Sequence, residues 1–267
     1  HRFTYTKEGV LKMLLQDKTI LIANISGKRS TGWAIAQSLA KQGAKVAYTY
    51  QTERFGNEVR KLFEPLDSID LGECDVTSDD DIDKLFERLG NNVDALDGLV
   101  HTPAFAKEED LANGFINTSR DGFKLALDIS CYSLIALSRS ALPLMEVRGG
   151  AIIALSYIGG EKAVKNYNVM GVAKSALESS IRYLAADLGP KNIRANTISA
   201  GPMRTLAARG LKDFAVMYEG MKDKSPLKRN ITTSEVGDTA TFLCSDLASG
   251  ITGEVLHVDA GYHAVGV

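Results

Sequence analysis

TILIANISGKRSTGWAIAQSLA, residues 19–40, holds a short apolar run, a turn and a helix. The run TILIAN (19–24) shows no in-out alternation. Both of its faces must therefore be covered, as in a strand inside a parallel sheet. Beyond the turn, Trp33, Ile35, Ala36, Leu39 and Ala40 recur at helical spacing. The same pattern repeats outward. KVAYTY (45–50) precedes a charged helix near 53–64, and a third run ends at LGECDV (71–76) before an acid-led helix reaching about 90. DGLVHT (97–102) precedes one long helix over roughly 121–146. AIIALS (151–156) precedes a helix carrying Met170, Ala173, Leu177, Ile181, Leu184 and Leu188 on one face. IRANTIS (193–199), an irregular helical region over 205–225, a helix to about Cys244 and the strand EVLHVDA (254–260) complete the pattern. Buried strands alternating with helices predict an α/β fold: one doubly wound, Rossmann-type domain with a seven-stranded parallel sheet flanked on both faces. Residues 1–16 read as an N-terminal extension, and 17–267 as a single domain.

Composition narrows the function classes. The 267 residues are 45% hydrophobic and 24% charged, with a net charge of −2. That balance argues against nucleic acid and anionic membrane surfaces as partners. No apolar run reaches the length of a membrane span, and the N-terminus lacks a secretory hydrophobic region. Cys74, Cys131 and Cys244 are odd in number and far apart, which argues against a disulfide framework and for a reducing compartment. The four histidines show no metal-ligand spacing, so no metal site is expected.

In a doubly wound sheet, ligands bind beyond the carboxyl ends of the strands. After the first strand, Asn24 begins NISGKRSTG, in which Ser30 and Thr31 stand where a helix starts; its amides suit a pyrophosphate. This is not G-x-G-x-x-G, and glycine and serine also simply cap helices. Gln51 follows the second strand. A ribose-gripping acid is absent there, and Arg54 comes only after Thr52 and Glu53. Nothing immediately past the strand is placed to hold a 2′-phosphate, which points to NADH over NADPH. Asp75 and Val76 follow the third strand and can edge an adenine, or serve a turn. Thr102-Pro103 and Ala106 follow the fourth, and SAGPMRTLAA (199–208) the sixth. After the fifth comes SYIGGEKAVKNYNVMGVAK, with Tyr157, Tyr167 and Lys174. Tyr167 and Lys174, seven residues apart, would return to one helix face about 10 Å apart in rise.

Together these residues resemble the NADH-dependent enoyl-(acyl carrier protein) reductases of type II fatty-acid synthesis, a divergent branch of the short-chain dehydrogenase/reductases. The likeness covers about 17–266. Its specific mark is Y-x6-K; ordinary short-chain dehydrogenases use Y-x3-K, and Gly171 holds that position here. The resemblance implies a cytoplasmic homotetramer that reduces the trans-2 double bond of an enoyl thioester on acyl carrier protein. It implies that Tyr167 donates to the thioester carbonyl, with Lys174 sharpening the phenol as a donor and holding the nicotinamide ribose, and that Tyr157 flanks the acyl chain. By the same resemblance Asn24, Ser30, Thr31, Gln51, Asp75, Val76, Pro103, Met203, Arg204, Thr205, Leu206 and Ala207 meet the cofactor. Ala106, Met170, Leu211 and Phe214 would line the acyl pocket. Two positions depart from the family pattern: Asn24 replaces a glycine, and Thr102-Pro103 replaces Ser-Ile. Two other readings stand beside this one: a short-chain carbonyl reductase, which the missing Y-x3-K disfavours, and a nucleotide-binding regulator with little turnover.

Overall fold

Seven strands pair in parallel in the computed structural model, which describes residues 13–205 and 214–266. They are Thr19–Ala23 (β1), Lys45–Tyr50 (β2), Ser68–Glu73 (β3), Gly98–His101 (β4), Gly150–Ser156 (β5), Ile193–Ala200 (β6) and Val255–Val258 (β7), in the order β3-β2-β1-β4-β5-β6-β7. The order reverses between β1 and β4, so a crevice opens at their carboxyl ends.

Covering helices explain why β1 lacks alternation. Ile20 and Ile22 face one core with Ile35, Ala36 and Leu39 of α1 (Thr31–Lys41), Val59 of α2 (Glu53–Phe63) and Val236, whose helix spans Thr233–Cys244. Leu21 and Ala23 face the other core. Its helical members include Ile82 and Leu85 of α3 (Asp79–Gly90). Short α4 (Glu108–Ala112) comes before the long predicted helix, whose residues join this second core. Leu15, assigned from sequence to the extension, is fully buried in the first core, and its N–H bonds Gln42 O at 2.9 Å. The fold therefore reaches back to at least that residue.

Two helices differ from expectation. The helix predicted over 121–146 is α5 (Arg120–Leu127), a wide π-type turn over Asp128–Tyr132, and α6 (Ser133–Met145). By length and composition alone, Arg120–Met145 is apolar enough to cross a membrane, contrary to the sequence expectation. Leu134, Leu137 and Ala141 of α6 are instead packed in the core. The helix predicted from Tyr167 begins only at Val169 and runs to Leu188 (α7). Asn166 and Asn168, on either side of Tyr167, have φ of 62° and 42°, which no right-handed helix contains. The next helices are α8 (Phe214–Lys224) and α9 (Thr233–Cys244).

Asn24 leaves β1 with φ 59°. Asparagine tolerates this left-handed backbone better than most side chains, as its replacement of a glycine requires. Thr49 Oγ1 accepts the Asn24 N–H at 2.9 Å and donates to its Oδ1 at 3.0 Å. The side chain is thus tied to β2. Asn24→Ala removes that tie and keeps the unfavourable φ, so it should lower unfolding free energy by about 1–2 kcal/mol. Asn24→Gly should cost less. Urea denaturation of both variants checks the order, and an Ala variant as stable as the parent would refute it.

Candidate active site

Residues from the ends of β4, β5 and β6 converge with the start of α1 and with α7 and α8 on a cavity of about 620 Å³. Tyr157, Tyr167 and Lys174 all line it. They arrive by different routes. Tyr157 leaves the end of β5 in extended conformation. Tyr167 is held in the left-handed turn before α7, and Lys174 lies in the second turn of α7. The two phenol rings meet edge to face, with centroids 5.0 Å apart. Their closeness depends on Gly159: a Cβ there would lie 2.4 Å from the Tyr167 ring and 3.2 Å from the Tyr157 ring. Gly171, which stands at the usual Y-x3-K lysine position, has the same constraint. A Cβ on it would sit 2.7 Å from Gly159 O. No lysine fits there, so the cation must come from Lys174, three residues on.

Lys174 is 5% exposed, and its Nζ donates to Leu155 O at 2.6 Å. Burial pushes its pKa down to about 8, opposed by the charge of Glu178. It is therefore still largely an ammonium at neutral pH. Burial pushes both phenols up from their ordinary value, and for Tyr167 the charges of Tyr157 and Glu178 add to it. The phenols remain protonated donors throughout the neutral range. No positive charge is among the causes that move the Tyr167 phenol, and the Lys174 Nζ donates to a backbone carbonyl. Among the described residues, the Tyr157 hydroxyl meets soft thioether acceptors in α8, Met217 Sδ at 3.3 Å and Met221 Sδ at 3.7 Å. It can exchange them for a better acceptor at little cost.

Other expected residues divide clearly. Thr31, Ala106, Met170, Met203, Thr205 and Phe214 line the same cavity. Ser30 caps α1, accepting the Trp33 N–H at 3.1 Å and donating to Gly27 O at 2.7 Å. The first amides of α1 have no helical carbonyl of their own, and the helix has no acid in its first turn. That end suits an anion, so the residues present fit a dinucleotide. Gln51 is exposed just past β2, where Arg60 is already paired with Glu53 at 2.5 Å and Asp70 at 3.8 Å. Asp75 Oδ1 accepts the Thr77 N–H at 2.9 Å and its hydroxyl at 2.8 Å, so one oxygen is spent on a turn. Val76 turns its side chain into the core, leaving only its backbone for a ligand. Pro103 is buried between Thr102 and Ala104, both cavity residues. Arg204 turns away onto α8, 4.7 Å over the Tyr218 ring and 3.4 Å from Glu219. Leu206, Ala207 and Leu211 lie outside the described residues.

Sequence reasoning missed Phe105, Leu111, Ser156 and Met217, which also line the cavity. Ser130 in the π-type turn accepts the Phe105 N–H at 3.0 Å and lies 3.7 Å from Met170 Sδ. A one-residue widening of a helix leaves no periodic signal, although such turns recur at functional sites. The three cysteines are free and buried. No cluster able to hold a metal occurs among the described residues.

Comparison with known proteins gives consistent findings. A family model described as enoyl-(acyl carrier protein) reductase matches residues 25–263. The NADH-dependent enoyl-(acyl carrier protein) reductase of Bacillus cereus is 49% identical over 95% of this chain and 99% of its own length. The NADPH-dependent enzyme of Staphylococcus aureus is also 49% identical, over 94% of this chain and 98% of its own length. The crystal structure of the Anaplasma phagocytophilum reductase in complex with NAD superposes with a TM-score of 0.91 at 45% identity, covering 96% of this chain and 97% of that one.

Lys174→Met tests the buried cation. It replaces a desolvated charge by an apolar side chain of similar length but leaves the buried Glu178 without its opposite charge, so the melting temperature should fall while the variant still folds. Affinity for NADH, read by fluorescence titration, should drop at least about tenfold, or roughly 1.4 kcal/mol. A folded variant with parental affinity would mean that the ammonium plays no part in binding.

Proposed function

Since this chain belongs to the enoyl-(acyl carrier protein) reductase family, we propose that its cavity is the reductase active site, with Tyr167 as donor to the substrate carbonyl. The protein reduces the trans-2 double bond of enoyl-acyl carrier protein thioesters, the last step of each elongation cycle in type II fatty-acid synthesis. NADH supplies the hydride. One observation carries the assignment of the site: Tyr157, Tyr167 and Lys174 share one cavity at the carboxyl ends of the strands.

The side chains have separable tasks. Hydride addition at the β-carbon leaves negative charge on the thioester oxygen. A protonated phenol at that oxygen stabilises the charge more than it stabilises the ground state, and a water-poor site strengthens the effect. Tyr167 takes this part, since burial keeps its proton in place. Lys174 has two N–H bonds left after Leu155 and directs them to the nicotinamide ribose. Tyr157 positions the acyl chain beside the carbonyl. Ala106, Met170 and Phe214 form its apolar surroundings, and the family resemblance adds Leu211, which lies outside the described residues. The amino end of α1, with Ser30 and Thr31, takes the pyrophosphate. Asn24, Asp75, the Val76 backbone, Pro103, Met203 and Thr205 complete the cofactor surface, and the family resemblance adds Leu206 and Ala207. Gln51 meets the adenosine ribose, and NADH is preferred to NADPH because no unpaired cation immediately follows β2. The residues from Leu15 onward form one domain, and the enzyme works as a cytoplasmic homotetramer.

Loss of absorbance at 340 nm on mixing protein, NADH and a short trans-2-enoyl thioester tests the activity. No loss, or kcat/KM for NADPH equal to or above that for NADH, would contradict this reading. Tyr167→Phe deletes one hydroxyl and keeps the ring. It should lower kcat by at least about tenfold, about 1.4 kcal/mol of barrier, while NADH binding stays near parental. Tyr157→Phe should cost less in kcat, and the reverse order would exchange the two assignments. Light scattering should give four times the 28.8 kDa of one chain; a monomer mass would reject the assembly.

A further inference from the structure

Glu178 has no part in the roles assigned above, yet it is as buried as Lys174, each being 5% exposed. The two residues are four apart on α7, so they sit one above the other on one helix face. The Ser156 hydroxyl, at the end of β5, donates to Glu178 Oε1. Lys174 donates to Leu155 O, the residue before Ser156. The two side chains are thus fastened to the same strand end, as neighbours on one helix face and not as a direct ion pair. A Cβ on Gly160 would lie 2.6 Å from Glu178 Oε1, so the loop after Tyr157 packs directly on the carboxylate.

We propose that Glu178 is a positioning residue: its carboxylate, held by Ser156 beneath Gly160, keeps the Lys174 ammonium charged and set toward the cofactor groove. This rests on the reductase reading. An ammonium so deeply buried loses its proton readily unless an opposite charge accompanies it. The other titratable groups around the pair do not replace the carboxylate. His101 of β4 is fully buried, with Nε2 2.7 Å from Ser133 Oγ, and burial followed by the Lys174 charge pushes it down to about 3. It is neutral. Cys131 approaches from the π-type turn and bonds Ser180 Oγ at 3.4 Å. Tyr157 and Tyr167 are held protonated by burial. Glu161, its partner His257 at 2.7 Å and Arg182 of α7 also act on Glu178, the last two favouring its charged form. Burial pushes the Glu178 carboxyl up, and the Ser156 hydrogen bond opposes that. Lys174 itself is pushed down to about 8 by burial, with Glu178 the first charge holding it up.

The sign follows directly. Removing the carboxylate lowers the Lys174 pKa further, so the ammonium disappears at a lower pH. Glu178→Gln keeps the shape and an acceptor for Ser156. NADH binding, followed by fluorescence from about pH 6 to about pH 9, should match the parent at the acid end. Its alkaline fall should move down by about one pH unit, a tenfold loss of affinity in that window. An unmoved fall, or an equal loss at every pH, would overturn the role of Glu178. Should Glu178→Gln fail to fold, the double variant Lys174→Met, Glu178→Gln decides. Recovered folding supports the proposal, because both buried charges are then gone; continued failure assigns Glu178 to packing and overturns it. A parent protein that binds no NADH at any pH overturns the reductase reading as well, whereas binding with an unmoved fall overturns the role of Glu178 alone.

Discussion

A charged amine held out of water at the end of a parallel sheet is the constraint on which the site is built. Placing an ammonium there costs several kcal/mol unless it is paired and hydrogen-bonded. The chain meets that cost from two directions. Leu155 O takes one N–H, and Glu178 supplies the opposite charge from one helical turn away. Around them, the other ionisable groups are kept uncharged. His101 is a neutral imidazole, and the two phenols keep their protons. Among the described residues of the cavity lining, Lys174 is thus the one buried charged side chain, Glu108 being exposed, and its charge acts over a longer range than in water.

Backbone geometry brings the phenols to that charge. Left-handed Asn166 and Asn168 release Tyr167 from the helix and turn it toward the Tyr157 ring. Gly159 and Gly171 let the loop and the start of α7 touch without side chains between them. The spacing of Tyr167 and Lys174 thus has a steric origin. With Gly159 O against position 171, the first place on α7 able to send a long side chain to the strand end is one turn later.

The surroundings are less regular. The π-type turn at Asp128–Tyr132 lets Ser130 hold Phe105 and reach Met170, both on the cavity wall. On the opposite side, α8 rests its methionine sulfurs on Tyr157. Thioethers are weak acceptors, so this contact closes an apolar site without competing strongly with a substrate carbonyl.

Much of this was determined by the amino-acid sequence alone. Unalternated apolar runs such as TILIAN can be satisfied only between two helical layers, so the parallel sheet and its number of strands were legible residue by residue. Tyr157, Tyr167 and Lys174 were legible as a set because they follow one strand within a short span. Tertiary structure decided the rest. Tyr167 lies before α7 and not on it, because two asparagines adopt positive φ there, a choice that local spacing does not record. Val76 faces the core and Arg204 turns to α8, since burial and ring stacking decide where a loop side chain points. Leu15 joins the fold, and the long helix breaks into two around a wide turn. The partnership of Glu178 with Lys174 appears only when β5, the Gly160 loop and α7 are packed together. Helical periodicity puts two side chains on one face, but only the packed neighbours decide whether that face meets water or a buried charge.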